Sequence, residues 1–226
     1  MAPAPKHVVD TVTFVNKGIK SEKNIKITIS NLDFYSGKPS DHGEIFIKPV
    51  PFSQMLQRME DTRPWENPHG CPSILPIDDH LDNREKARAM WYAEEDPLFQ
   101  LTMPGPWKVE DFIVREDPTT PHLNCFLSNE VPLKDMVPST GELRTILWSV
   151  GSRILDKDYQ CHRIVPVTIV SACGLRLRIV QGYVDQAQLI VRMTPIVDFT
   201  AGEKKNWNDF IQTICWMIGE PVGVTT

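Results

Sequence analysis

Between Ser139 and Gly219 the chain changes hydrophobic period repeatedly, and that succession constrains the fold more than any other feature. Ser139-Thr140-Gly141-Glu142 reads as a capping box, in which the serine takes a free amide of the first turn and the glutamate returns the bond. Behind it Leu143, Ile146, Leu147, Val150 and Ile154 recur at helical spacing as one apolar stripe. Three extended segments follow, Ile164 to Ala172, Leu175 to Asp185 and Leu189 to Phe199, turning at Cys173-Gly174 and around Gln186-Ala187. Connections that short permit only antiparallel neighbours, so the three form a meander. A last helix starts near Asn206, aligns Trp207, Phe210, Ile211, Ile214, Cys215 and Ile218, and stops at Gly219 with Pro221 just beyond. Its apolar face is expected to pack on the sheet. The expectation is an α+β protein, an antiparallel sheet with flanking helices, whose residues 139–220 form an α-β-β-β-α core.

A chain of 226 residues suits one domain, and the remainder divides by composition. Residues 1–50 read as strands at Thr11 to Val15, Asn24 to Ser30 and Glu44 to Val50, with turns at Gly18, Gly37 and Gly43 and polar Lys26 and Thr28 facing solvent. A short helix is predicted from Ser53 to Glu60, with Met55, Leu56 and Met59 inward. Residues 61–138 carry prolines at 64, 68, 72, 76, 97, 104, 106, 118, 121, 132 and 138, which argues for a loop-dominated middle. Within it Asp82-Asn83-Arg84-Glu85 resembles a second capping box, opening a helix to about Glu95, and Phe112 to Arg115 suggests one strand. A long irregular stretch of this kind is either a functional lid or a wrap around the core.

Net charge of -5 removes the global attraction on which most nucleic-acid binders rely, which argues against nucleic acid as a partner. The amino terminus shows no apolar leader, and no apolar run approaches the roughly eighteen residues of a membrane span. Five cysteines, at 71, 125, 161, 173 and 215, are an odd number without framework spacing, and fit reduced thiols. These features point to a cytoplasmic or nuclear setting.

The run His162-Arg163-Ile164-Val165-Pro166-Val167, followed by Arg178-Ile179-Val180-Gln181-Gly182-Tyr183-Val184-Asp185, Leu189-Ile190-Val191-Arg192, Asp198-Phe199, Trp216 and Gly219-Glu220-Pro221-Val222-Gly223, resembles a family of uncharacterised filamentous-fungal proteins. The resemblance covers the last third of the chain and departs at Val224, where an acidic residue is expected. It implies a fungal origin and an intracellular setting, and brings no activity or catalytic residues.

The order helix, three strands, helix is also that of restriction-endonuclease-like nucleases, with Glu142 and Asp185 alignable with two metal-binding carboxylates. The third element fails, because Leu189-Ile190-Val191-Arg192-Met193 lacks a carboxylate-X-lysine, so Glu142 reads as a helix cap and Asp185 as a turn residue. His69, Cys71, His80, His122, Cys125, Cys161 and His162 lack paired zinc spacing and read as surface histidines and small buried thiols. Asp78, Asp79 and Asp82 read as partners of a helix dipole. No nucleophile elbow or phosphate loop occurs, and no metal or cofactor is called for.

Two groups remain as candidates. Arg176 and Arg178 share a strand face that Arg192 of the next strand would join, a patch able to grip a carboxylate or phosphate unless it is merely a solvated face. Of the six tryptophans, Trp148, Trp207 and Trp216 read as core, while Trp65, Trp91 and Trp107 of the proline-rich middle suggest a ligand-binding surface. Together they favour an interaction or small-ligand-binding module over a divergent nuclease or a small enzyme of fungal metabolism. The partner would be another protein or a small anionic ligand, and a homo-oligomer is compatible with the composition.

Overall fold

The computed structural model describes residues 4–59, 92–93 (backbone only), 105–115, 117–202 and 204–226. Helices α1 (Lys6–Lys20), α2 (Phe52–Met59), α3 (Thr140–Leu155) and α4 (Trp207–Met217) accompany strands β1 (Ile27–Asn31), β2 (Ile47–Lys48), β3 (Tyr92–Ala93), β4 (Trp107–Val114), β5 (Leu123–Asn129), β6 (Val167–Cys173), β7 (Arg176–Asp185), β8 (Gln188–Met193), β9 (Val197–Asp198) and β10 (Glu220–Pro221). The class is α+β. The main sheet runs β1-β8-β7-β6-β5-β4-β3, with β9 beside β7, and β10 pairs β2 separately.

The sheet is mixed where an antiparallel one was expected, because β1 joins β8 and β5 joins β6 in parallel. The meander β6-β7-β8 itself is antiparallel. Its third strand is shorter than Leu189 to Phe199: Pro195 has no N–H to give the ladder, so β8 ends at Met193 and β9 resumes against the start of β7.

α3 forms where its capping box and stripe predict. Ser139 Oγ accepts from the Glu142 amide at 3.1 Å, Glu142 Oε2 accepts from the Ser139 amide at 2.6 Å, and the whole apolar stripe is buried. It crosses β7 at Gly182, where an added Cβ would stand 2.5 Å from Ile146, so only glycine permits this approach.

The stretch Thr11 to Val15, expected as a strand, lies inside α1, as does Gly18, expected in a turn. Val8, Val12, Val15 and Ile19 recur at helical spacing and pack with α3 into the core, and this tertiary contact overrides the strand preference of the β-branched residues. The loop-dominated middle likewise contains the β4-β5 hairpin. Prolines 106, 118, 121 and 132 stand outside both strands and punctuate them. Tyr92 and Ala93 pair with Val114 and Ile113 as strand, where the helix from Asp82 was expected to continue; the start of that helix lies outside the described residues.

α4 carries its expected stripe, but Trp207, Ile211 and Cys215 pack on Met55 of α2, and only Trp216 and its neighbours meet the sheet. The sheet therefore has two unlike faces. One is sealed by α1 and α3 over Val114, Leu127, Ile169, Val180 and Val191. The other is covered by residues 32–50, α4 and the C-terminal residues over Val170 and Ile179.

The β7-β8 turn places non-glycine residues in left-handed backbone, with φ of 45° at Gln186 and 57° at Ala187. Asn-Gly is the pair suited to such a turn. Replacing Gln186-Ala187 by Asn-Gly is expected to stabilise the fold by about 1 kcal/mol and raise the melting midpoint by roughly 2–4 °C, read by thermal denaturation.

Candidate functional site

The three arginines do not share a surface. A two-residue turn pairs Asp185 with Gln188, and counting back along both strands puts Gln181 opposite Arg192. Arg178 lies on the α3 face, fully buried, where Nε and Nη2 meet the two Glu142 carboxylate oxygens at 2.9 and 2.6 Å. Its remaining donors reach the carbonyls of Lys134 and Val137. Arg176, exposed, pairs with Asp198 across the β7-β9 ladder. Glu142, considered as a metal ligand, has both carboxylate oxygens committed to the cap and to Arg178.

Arg192 emerges on the opposite face and is also buried. Nε donates to Asp41 Oδ2 at 3.0 Å, Nη1 to the Glu44 carbonyl and Nη2 to the Tyr183 hydroxyl at 3.1 Å, with the guanidinium over the Tyr183 and Phe46 rings. Burial pushes the Asp41 carboxyl up, but the Gly43 amide and the Arg192 bonds outweigh it and hold the carboxyl below its ordinary range. Burial raises the Tyr183 phenol. An added Cβ at Gly43 would lie 2.2 Å from Arg192 Nη2, so any side chain there would have to displace the guanidinium from its bonds.

From Arg192 a row of polar side chains runs across the sheet in register, half-buried at Ser30 and buried from Arg192 to Asn124. Ser30 pairs with Arg192, Arg192 with Gln181, Gln181 with Thr168, and Thr168 with Asn124. Gln181 Nε2 donates to Thr168 Oγ1 at 3.4 Å, while Asn124 Nδ2 donates to the Met217 carbonyl at 3.4 Å. Asn124, only 4% exposed, keeps Oδ1 without a hydrogen-bond partner among the described residues. A buried acceptor left this way costs about 1–3 kcal/mol, and it is one of several such atoms among the described residues, this one at the end of the row on a residue that lines a cleft.

That end opens into a cleft of about 190 Å³ beside α4. Ile113, Phe126, Val170, Trp216 and Met217 form its apolar lining, Thr168 and Asn124 its polar floor, and Glu110 and Asp111 its acidic residues. A β-bulge explains the carboxylates: Val109 faces Leu127 and Asp111 faces Phe126, so Glu110 is an extra residue and two consecutive acidic side chains line one cleft.

No protein-family model, curated protein or solved structure matches the chain. What the cleft does must follow from its own atoms.

Trp107, a candidate aromatic, is half-buried against Gly141 at the start of α3, with the Arg144 guanidinium 5.8 Å from its ring centroid; it does not line the cleft. Trp65 and Trp91 lie outside the described residues. His122 and His162, expected at the surface, are both buried. His162 bridges the Pro118 carbonyl and the Thr225 hydroxyl, and His122 reaches the Val222 carbonyl, so both histidines bind the last residues of the chain to the sheet. Among the described residues no group of His, Cys, Asp and Glu is placed to hold a metal ion, and no helix is long and apolar enough to cross a membrane.

The buried polar row escaped the sequence search because each of its members on β5, β6 and β7 stands alone in an apolar strand. Asn124 within Leu-Asn-Cys-Phe-Leu, Thr168 within Val-Thr-Ile-Val and Gln181 within Ile-Val-Gln-Gly were the available signal: polar side chains at positions where both faces of a sheet are covered.

Proposed function

We propose that this protein binds a small, largely apolar molecule in the cleft between α4 and the β4-β5-β6 surface. The observation that carries the reading is the orphaned Asn124 Oδ1, an acceptor at the floor of a mainly apolar cavity. Binding sites for small molecules combine those two features, an apolar enclosure and a few convergent polar groups. At about 190 Å³ the space suits one aromatic ring or a short aliphatic chain. The arginines expected to receive an anion are engaged by Glu142, Asp41 and Asp198, and the carboxylates at the cleft oppose one.

A fragment screen read by methyl and amide NMR tests this directly. Small aromatic and aliphatic fragments are expected to shift the signals of Ile113, Val170 and Met217, and Ile113→Trp, which fills the cleft from β4, is expected to abolish those shifts with the fold retained. Fragments that bind only elsewhere, or equally well to the filled variant, would remove the basis of the reading.

A further inference from the structure

We infer that the ligand class is a neutral hydroxyl compound, an alcohol or phenol whose oxygen bridges Asn124 and Thr168 while its apolar body lies against Trp216, Val170 and Met217. The inference rests on the binding reading above and adds one polar atom, with its place, to it. Asn124 of β5 pairs with Thr168 of β6 in parallel register, so the two side chains stand side by side on one face of the sheet. Both are buried, at 4% and 3% exposed, and both line the cleft. Asn124 Nδ2 donates to the Met217 carbonyl, which only accepts; this fixes which end of the amide is the oxygen and leaves Oδ1 an acceptor without a donor. Thr168 lacks the opposite partner. Its Oγ1 accepts from Gln181 Nε2 at 3.4 Å, and its own proton meets no acceptor among the described residues.

One atom that both donates and accepts completes the pair. Two hydrogen bonds of about 2.8 Å that meet at a tetrahedral oxygen span about 4.6 Å, and neighbouring strands stand about 4.8 Å apart. A hydroxyl seated between the two side chains therefore reaches both, giving its proton to Asn124 Oδ1 and taking that of Thr168. Other groups supply only half of this. An ether or ketone has no proton for Asn124, and an ammonium ion has no lone pair for Thr168. A carboxylate ligand would set its oxygens against Oδ1 and against the acidic residues of the cleft. Those residues call for no cation either, since Lys108 holds Glu110 at 2.6 Å and Asp111 is already engaged. Trp216 brings no competing donor, because its indole N–H is given to the Phe34 carbonyl at 2.7 Å. What it offers the ligand is apolar ring surface.

Phenol and toluene, which differ by a hydroxyl in place of a methyl group, separate this assignment from simple apolar filling. Both are titrated into the full chain, with binding located by the Ile113, Val170 and Met217 methyl signals. Phenol is expected to move the side-chain amide signals of Asn124 together with those methyls, and toluene the methyls alone. The ratio of phenol to toluene affinity is expected to fall about 10-fold in Asn124→Leu and about 5-fold in Thr168→Val, which keeps the shape of the threonine. Asn124→Leu also removes the bond to Met217; should it fail to fold, Thr168→Val and the Asn124 amide signals of the native chain decide the outcome. An unchanged ratio in Thr168→Val, or phenol bound at the cleft with the Asn124 amide unmoved, overturns the hydroxyl assignment and leaves the binding reading standing. Toluene bound there with phenol excluded does the same. Cleft signals that respond to no probe or fragment overturn both.

Discussion

Glu142→Gln lowers the unfolding free energy by about 3–5 kcal/mol, the cost of leaving a buried guanidinium without its counter-charge. Both side chains are fully buried, and Arg178 meets both carboxylate oxygens. Arg178→Met is expected to cost as much, because it strands the Glu142 carboxylate and the carbonyls of Lys134 and Val137 together. The double variant Glu142→Met/Arg178→Met is expected to cost well under the sum of the two, since removing both charges leaves neither unpaired. Urea denaturation of the four proteins provides the measurement. The result also bears on the nuclease-like alternative. A carboxylate held in place for a metal repels its neighbours, so its amide variant should be as stable or more so; a large loss in Glu142→Gln leaves the residue a structural role.

The same ion pair shows what sequence could and could not supply. The capping box at Ser139 is local, needs four residues, and was legible with its helix, as were the turn positions of the meander. Arg178 beneath α3 depends on how a helix sits on a strand, which no local pattern records. The failure to separate Arg178 from Arg192 has a different origin. The two-residue turn at Gln186-Ala187 fixes the register, and the pairing of Gln181 with Arg192 follows from it by counting. Side-chain direction was therefore decidable, and with it the opposite placement of the two arginines.

The β4-β5 hairpin was obscured by the prolines at its ends, which signal loops wherever strands are short. Its bulge was invisible for a stronger reason. Glu110-Asp111 breaks the alternation of the strand, and an interrupted period reads as a loop when only composition is available. The interruption is what brings two carboxylates to one cleft. The polar row from Ser30 to Asn124 joins residues from β1, β8, β7, β6 and β5, so it exists only after the sheet is assembled.

Acidification from pH 7 to pH 4 is expected to remove on the order of 3 kcal/mol of stability through His122 alone. Nε2 lies 2.9 Å from the Val222 carbonyl, which only accepts, so this nitrogen carries the proton and Nδ1 is bare. Nδ1 is buried without a partner, and charging the ring would place a cation there. Burial depresses the group most strongly; the Val222 carbonyl acts in the opposite direction, and the positive charges of His162 and Arg115 add to the depression, leaving it at about 4 against an ordinary 6.5. Above pH 6.5 the ring is neutral folded or unfolded, and its contribution is fully present. As pH falls from 6.5 to about 4 the unfolded chain takes up a proton that the folded state refuses, so stability is lost through that window and the loss levels off below it. The depressed carboxyls of Asp33, Asp41, Asp117 and Asp198 act in the same direction, beginning about one unit above their ordinary value of 3.8, so the histidine effect stands alone between pH 6.5 and about pH 5. His122→Gln retains a donor for Val222 and has no titrating ring, so its denaturation midpoint is expected to stay nearly flat between pH 6.5 and about 5 while that of the native chain falls. Parallel slopes in the two proteins would assign the acid sensitivity to other groups. Because Val222 also donates to the Phe46 carbonyl, the loss should begin where the last residues cross the sheet, and hydrogen exchange at the Val222 amide should rise with the same midpoint.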